Sequence, residues 1–131
     1  MHAINWLAVV AAAVSIFVIG GLWYSPVLFG NTWSRLAGGP PKGQGGHPAK
    51  VFGLAFVFAL FAAYAYALLM PPAADWMTAL HQGLLVGFGF AATSFGINYQ
   101  FGNRPFTLWL IDAGYHTLQF AVYGLIIGLW R

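Results

Sequence analysis

The chain has 131 residues, of which 60% are hydrophobic and only 5% charged, with a net charge of +3. Soluble domains carry about 25% charged residues, so this surface cannot face water throughout, and its natural solvent is a lipid bilayer. The five Lys and Arg are too scattered for a nucleic-acid footprint. With no cysteine, disulfides, thiolate catalysis and Cys-ligated zinc or iron–sulfur sites are excluded.

The first apolar segment runs from about Asn5 to Tyr24 and stops before Pro26. Its start, "MHAINWLAVV", lacks the basic region of a cleaved signal, and "GLWYSP" is no cleavage site, so it reads as a permanent anchor. A long linker, residues 29–49, follows. Its early part, "LFGNTWSRL", suits the membrane interface, and its later part, "GGPPKGQGGHPA", is rich in Gly and Pro and intrinsically flexible. The second segment runs from about Lys50 to Met70, before Pro71 and Pro72. The short "PPAADW" then predicts an antiparallel hairpin with the third segment, about Trp76 to Ile97. After "NYQFGNRP", the fourth runs from about Phe106 to Trp130, with Pro105 as a first-turn proline.

Each segment has roughly 20–25 residues, enough to cross a hydrocarbon core of about 30 Å at 1.5 Å per residue. Runs such as "VFGLAFVFALFAAYAYALLM" do not alternate as membrane strands do. In lipid the backbone must bond to itself, so helices are expected. The predicted fold is a single all-α, four-helix transmembrane bundle. Arg35, Lys42 and Lys50 fall in the first linker and Arg104 in the third, whereas the second holds only Asp75 and the C-terminus only Arg131. By the positive-inside rule the basic linkers are cytoplasmic and both termini lie outside, on the periplasmic side.

Small residues mark packing faces. Gly83 and Gly87 form one G-x-x-x-G pair, and Gly124 and Gly128 another. Packing within the bundle is a more economical reading than a dedicated dimer motif, since the pattern alone is weakly specific.

The fourth segment carries the polar groups that an oily helix does not need. Asp112, Tyr115, His116 and Gln119 fall at i, i+3, i+4 and i+7, one helical face. An Asp at mid-membrane costs roughly 2.5–3.5 kcal/mol on insertion scales, so it faces the bundle or water and has a partner. Trp23, Tyr24 and Ser25 at the end of the first segment, and Thr93, Ser94, Asn98, Tyr99 and Gln100 at the end of the third, are candidate donors on the same side. Arg104 is a further candidate partner, unless it snorkels to the interface. Towards the outer side, Asn5 and His81 are at matching depth and form a second candidate pair.

Each residue has a structural reading beside the functional one. Asp112 either pins helices together or serves a proton- or substrate-linked step. His116 is a hydrogen-bonded interior residue, a proton partner of Asp112, or a ligand for haem, pigment or metal. His81, near the surface, is within reach of water or headgroups. A metal site needs three or four ligands. The chain offers only His81, His116 and Asp112, at mismatched depths, so no metal site and no cofactor are expected. With no glutamate, no phosphate-binding loop and no nucleophile in a recognisable elbow, no enzymatic activity is expected either.

"GGLWYSPVLFGNTW" and "RPFTLWLIDAGYHTLQFAVYGLIIGLW" together resemble a family of small bacterial integral membrane proteins of unknown function. The features are Asn5-Trp6-Leu7, Trp23-Tyr24-Ser25-Pro26, Phe29-Gly30 and Asp112-Gly114-Tyr115-His116. Asn31 stands where that family would lead one to expect a basic residue. The resemblance implies a four-helix protein of the bacterial inner membrane and brings no activity with it. Two functions follow as expectations. One is a non-catalytic protein surrounded by lipid that acts through its neighbours, as an accessory subunit or as a homo-oligomer. The other is a small oligomeric transporter or channel with a proton- or cation-linked site at Asp112 and His116.

Overall fold

The computed structural model describes residues 4–38, 47–71 and 74–130. Lys42, Pro72, Arg131 and most of the Gly/Pro-rich part of the first linker lie outside them. All regular structure among the described residues is helical. Helix α1 spans Trp6–Trp23, α2 spans Gly30–Ala37, and α3 spans Pro48–Leu69. Helix α4 runs through Trp76–Phe101, and α5 spans Phe106–Leu129.

The ends follow from local chemistry. Asn5 caps α1, accepting the Ala8 amide at 3.2 Å, and Asp75 caps α4, accepting the Thr78 amide at 2.8 Å. Pro48 opens α3 in the first turn, where no amide hydrogen is required. Pro105 stands one residue earlier in α5 than a first-turn proline, at the N-cap. Asn98, Tyr99 and Gln100, read from sequence as linker, extend α4 to Phe101. The reversal into α5 takes only residues 102–105, with Asn103 at a left-handed φ of 55°. Within the first linker, α2 is a separate eight-residue helix closed by Gly38 at φ 80°.

Helices α1, α3 and α4 are each long and apolar enough to cross a membrane. Helix α5 is equally long, 24 residues, but its Asp, His, Gln and Tyr place it below that measure. It is also the central helix, packed against α1, α3 and α4. The two facts have one cause. The helix that touches the others on most sides can carry polar side chains, because it has protein rather than lipid to face.

The seams between helices are built from small residues. Ala8, Ala12, Ala13, Ala59 and Ala63 are almost fully buried in one core cluster where α1 and α3 meet. Between α4 and α5 the glycines let the backbones touch. A Cβ on Gly83 would lie 2.2 Å from the Phe120 carbonyl oxygen, and one on Gly124 would lie 2.3 Å from that of Ala79. Gly87 meets Thr117 and His116, and Gly128 meets Ala79 and Trp76. Both small-residue pairs are thus used inside the chain.

The middle of α4 departs from α-helical form. Leu85–Ala92 is π-helical, with the looser i→i+5 bonding that membrane helices tolerate where side chains supplement the backbone. Those side chains are present. Thr93 Oγ1 donates to the Gly89 carbonyl at 2.8 Å, Ser94 Oγ to Phe90 at 2.6 Å, and Trp109 Nε1 of α5 to Ala92 at 2.9 Å.

Candidate functional site

The segment Trp23–Gly30 is a compact reversal joined to α5 by its aromatic residues. Pro26 cannot continue the helix, and Ser25 Oγ donates to the Leu22 carbonyl at 2.7 Å. The chain then folds back: the Phe29 amide donates to Trp23 at 3.0 Å, and the Gly30 amide to Ser25 at 2.9 Å. Gly30 is required by contact, because a Cβ there would stand 2.2 Å from the Tyr24 carbonyl oxygen. Phe29 packs on Trp23 with ring centres 4.8 Å apart, and Trp33 of α2 meets Tyr24 edge-on at 5.6 Å. The reversal therefore holds Trp23 and Tyr24 in fixed directions.

Those directions meet Asp112–Tyr115. Trp23 Nε1 donates to the Ile111 carbonyl at 2.9 Å, its ring lying where a Cβ of residue 114 would otherwise be. A Cβ on Gly114 would be 2.6 Å from Trp23 Cζ2. Tyr24 Oη donates to Asp112 Oδ1 at 2.5 Å, and Tyr99 Oη of α4 donates to Oδ2 at 2.5 Å. Tyr115 Oη donates to the Ile16 carbonyl of α1 at 3.1 Å. Both carboxylate oxygens are thus occupied by tyrosine hydroxyls. The group is 9% exposed. Asp112 is thus a node at which α1, α4 and α5 are tied together.

A second polar chain runs further along α5. Tyr123 Oη donates to the Ala59 carbonyl of α3 at 3.0 Å and accepts from Gln119 Nε2 at 3.0 Å. With its amide oriented in this way, Gln119 offers Oε1 to His116 Nδ1 at 2.7 Å. Tyr66 of α3 donates to the Ala79 carbonyl of α4, bracing the same end. Among the described residues, no fully buried side-chain nitrogen or oxygen lacks a partner.

A groove of about 440 Å³ lies beside this second chain, between α1, α3 and α5. His116 and Gln119 supply its polar surface, while Tyr115, Phe120, Phe58 and small residues of α3 supply the rest. Phe58 is exposed at its rim.

The structure thus separates residues that share one helical face in sequence. Asp112 binds Tyr24, as expected, together with Tyr99. Of the other candidate donors, Ser25 serves its own helix, and Asn98 is exposed on the far side of α4. His116 bonds Gln119 rather than Asp112. Arg104 does not approach Asp112; its guanidinium donates to the Ala37 carbonyl at 3.0 Å, fastening α2 to the loop before α5. Asn5 and His81 are not brought together. Asn5 Nδ2 donates to the Trp130 carbonyl at 2.7 Å, joining the two ends of the chain, while His81 is exposed. Trp23, a candidate donor to Asp112, instead donates to the Ile111 carbonyl, and Gly114 is the gap in α5 that admits its ring. No group of three or more potential metal ligands occurs among the described residues. In the turn before α4, the Thr78 amide holds the Asp75 carboxyl below its usual range.

Residues 7–128 match the family model described as "Protein of unknown function (DUF1761)", and the chain belongs to that family. No curated protein and no solved structure matches it.

Proposed function

We propose that this member of the family is a multi-pass protein of the bacterial inner membrane in which α1, α3, α4 and α5 all cross the bilayer. The case for α5 as a fourth span is its length and its central place, with its polar side chains turned towards other helices. The proposed orientation has both termini on the periplasmic side. In its favour, Arg35, Lys50 and Arg104 gather at one end of the bundle, where Arg104 reaches α2, and the opposite turn carries Asp75 with no Lys or Arg.

Within that membrane the protein is a non-catalytic accessory subunit, a helix-packing partner in a larger assembly. The observation that carries this reading is the occupancy of Asp112. Its two oxygens are each taken by a tyrosine hydroxyl from a different helix, so the acid is spent on holding the bundle rather than left open to an ion. Purification in mild detergent followed by native mass spectrometry tests the reading. A complex with other membrane proteins is expected, and a stable monomer without a co-purifying partner refutes it. The competing reading, an oligomeric transporter with an Asp112/His116 site, requires Asp112→Asn to fold normally and lose a pH-dependent flux in liposomes. On the present reading the same substitution lowers stability, and no such flux exists to be lost.

A further inference from the structure

The groove beside His116 has a chemical asymmetry that Asp112 lacks. Tyr123 gives its proton to the Ala59 carbonyl and therefore accepts from Gln119 Nε2. That orients the amide, so Gln119 Oε1 must be the acceptor and His116 Nδ1 the donor. In the neutral imidazole the remaining nitrogen, Nε2, is then a bare acceptor. Among the described residues nothing donates to it. His116 lies ten residues into α5, about 15 Å along the helix, which is near the middle of a hydrocarbon core of about 30 Å. Water is scarce there, and an unmet acceptor in an apolar setting costs free energy.

An occupant that satisfies Nε2 must bring a hydroxyl and must dissolve at mid-bilayer. Glycerolipids carry their hydroxyls and headgroups at the interface and present only acyl chain at that depth. The groove's volume is within the range of small-molecule sites, and its flanks are rings, Phe58, Tyr115 and Phe120, which favour a flat aromatic head. We infer that the groove binds a lipid-soluble phenol of the quinol class, its hydroxyl donating to His116 Nε2 and its ring lying against Phe58 and Phe120. The site rests on the proposed crossing of the bilayer by α5 but not on the subunit reading: it stands whether or not the protein assembles with others.

The test uses the purified full chain in phosphatidylcholine nanodiscs, titrated with decylubiquinol and followed by the imidazole ¹⁵N resonances, with His116→Asn fixing the assignment. A saturable shift of the His116 Nε2 signal is expected. Decylubiquinone, which has the same ring substituents and tail but carbonyls in place of the hydroxyls and so no donor, binds roughly three- to tenfold more weakly, the worth of one hydrogen bond. Ala62→Phe fills the groove from its α3 wall and abolishes binding while leaving helicity unchanged. Equal affinity for quinol and quinone, an unmoved or unsaturable Nε2 signal, or binding that survives Ala62→Phe overturns the proposal. Displacement by dioctanoylglycerol at equal concentration overturns the assignment to a phenol.

Discussion

Replacing Tyr24 by Phe removes one hydroxyl and nothing else, so its cost measures the Asp112 node directly. Two bounds frame the magnitude. Interhelical hydrogen bonds in a membrane average about 0.6 kcal/mol, whereas bonds to a charged group contribute about 1.5–3 kcal/mol. The Tyr24–Asp112 distance of 2.5 Å belongs to the short, charge-assisted class. With Asp112 buried, no water replaces the lost donor, so the upper bound governs and the expected loss is about 2 kcal/mol. Tyr99→Phe removes the partner bond at the same length and costs a similar amount, because Tyr24 and Tyr99 are both half-buried. The decisive variant is the triple, Tyr24→Phe, Tyr99→Phe and Asp112→Leu. Replacing every polar member of a cluster by apolar groups of similar shape is nearly neutral, whereas removing one member strands the others. The triple variant is therefore expected to return to within about 1 kcal/mol of the parent. Reversible unfolding in mixed micelles, followed by helical circular dichroism, gives all four free energies. Single variants within about 0.5 kcal/mol of the parent, inside the range of an ordinary surface change, would refute the clamp. So would a triple variant less stable than either single one.

Three further outcomes follow from the same geometry. Gly83→Ala drives a Cβ into the Phe120 backbone and is expected to cost about 1–3 kcal/mol, while Gly53→Ala, with open space around it, is expected to gain up to about 1 kcal/mol; denaturation curves showing both changes with the same sign would contradict the α4–α5 seam. The chain has no cysteine, so Ser34→Cys and Met77→Cys can be labelled singly in intact cells, and an impermeant maleimide is expected to reach residue 77 and not residue 34; the reverse pattern refutes the orientation. Because the Thr78 amide lowers the Asp75 carboxyl in the folded state, its contribution to the α4 cap is present above the unfolded value and is lost as pH falls through the folded one. The protection of the Thr78 amide, its exchange rate divided into the intrinsic rate at each pH, should therefore fall on acidification in the parent and stay flat in Asp75→Asn, which keeps the cap without the charge.

What the sequence shows of the fold and the site, and where it stops, is set by helical phase. Composition alone points to membrane helices, and the 3.6-residue period alone puts Asp112, Tyr115, His116 and Gln119 on one face. Both work because lipid imposes rules on every residue of a span. The period fails where an account of Asp112 most depends on it, in choosing its donor on α4. At about 100° per residue, Asn98 lies about 60° round the helix from Gly83, on the side that faces α5, and Tyr99 lies about 160° round, facing away. A uniform α-helix would therefore offer Asp112 the amide of Asn98. The π-helical stretch Leu85–Ala92 lies between Gly83 and these residues. Its wider turns use more residues per revolution, so everything after Ala92 is rotated back relative to the α-helical count. That rotation carries Tyr99 to Asp112 and leaves Asn98 exposed. The carbonyls loosened by the stretch are then taken up by Thr93, Ser94 and Trp109, side chains whose purpose is invisible until the backbone is known. Local deviation of this kind is favoured by the close contact at Gly87, where the backbones of α4 and α5 meet. Glycine permits it without dictating it. The register of the acid's second donor is thus a property of two packed helices, and no periodicity read along one of them contains it.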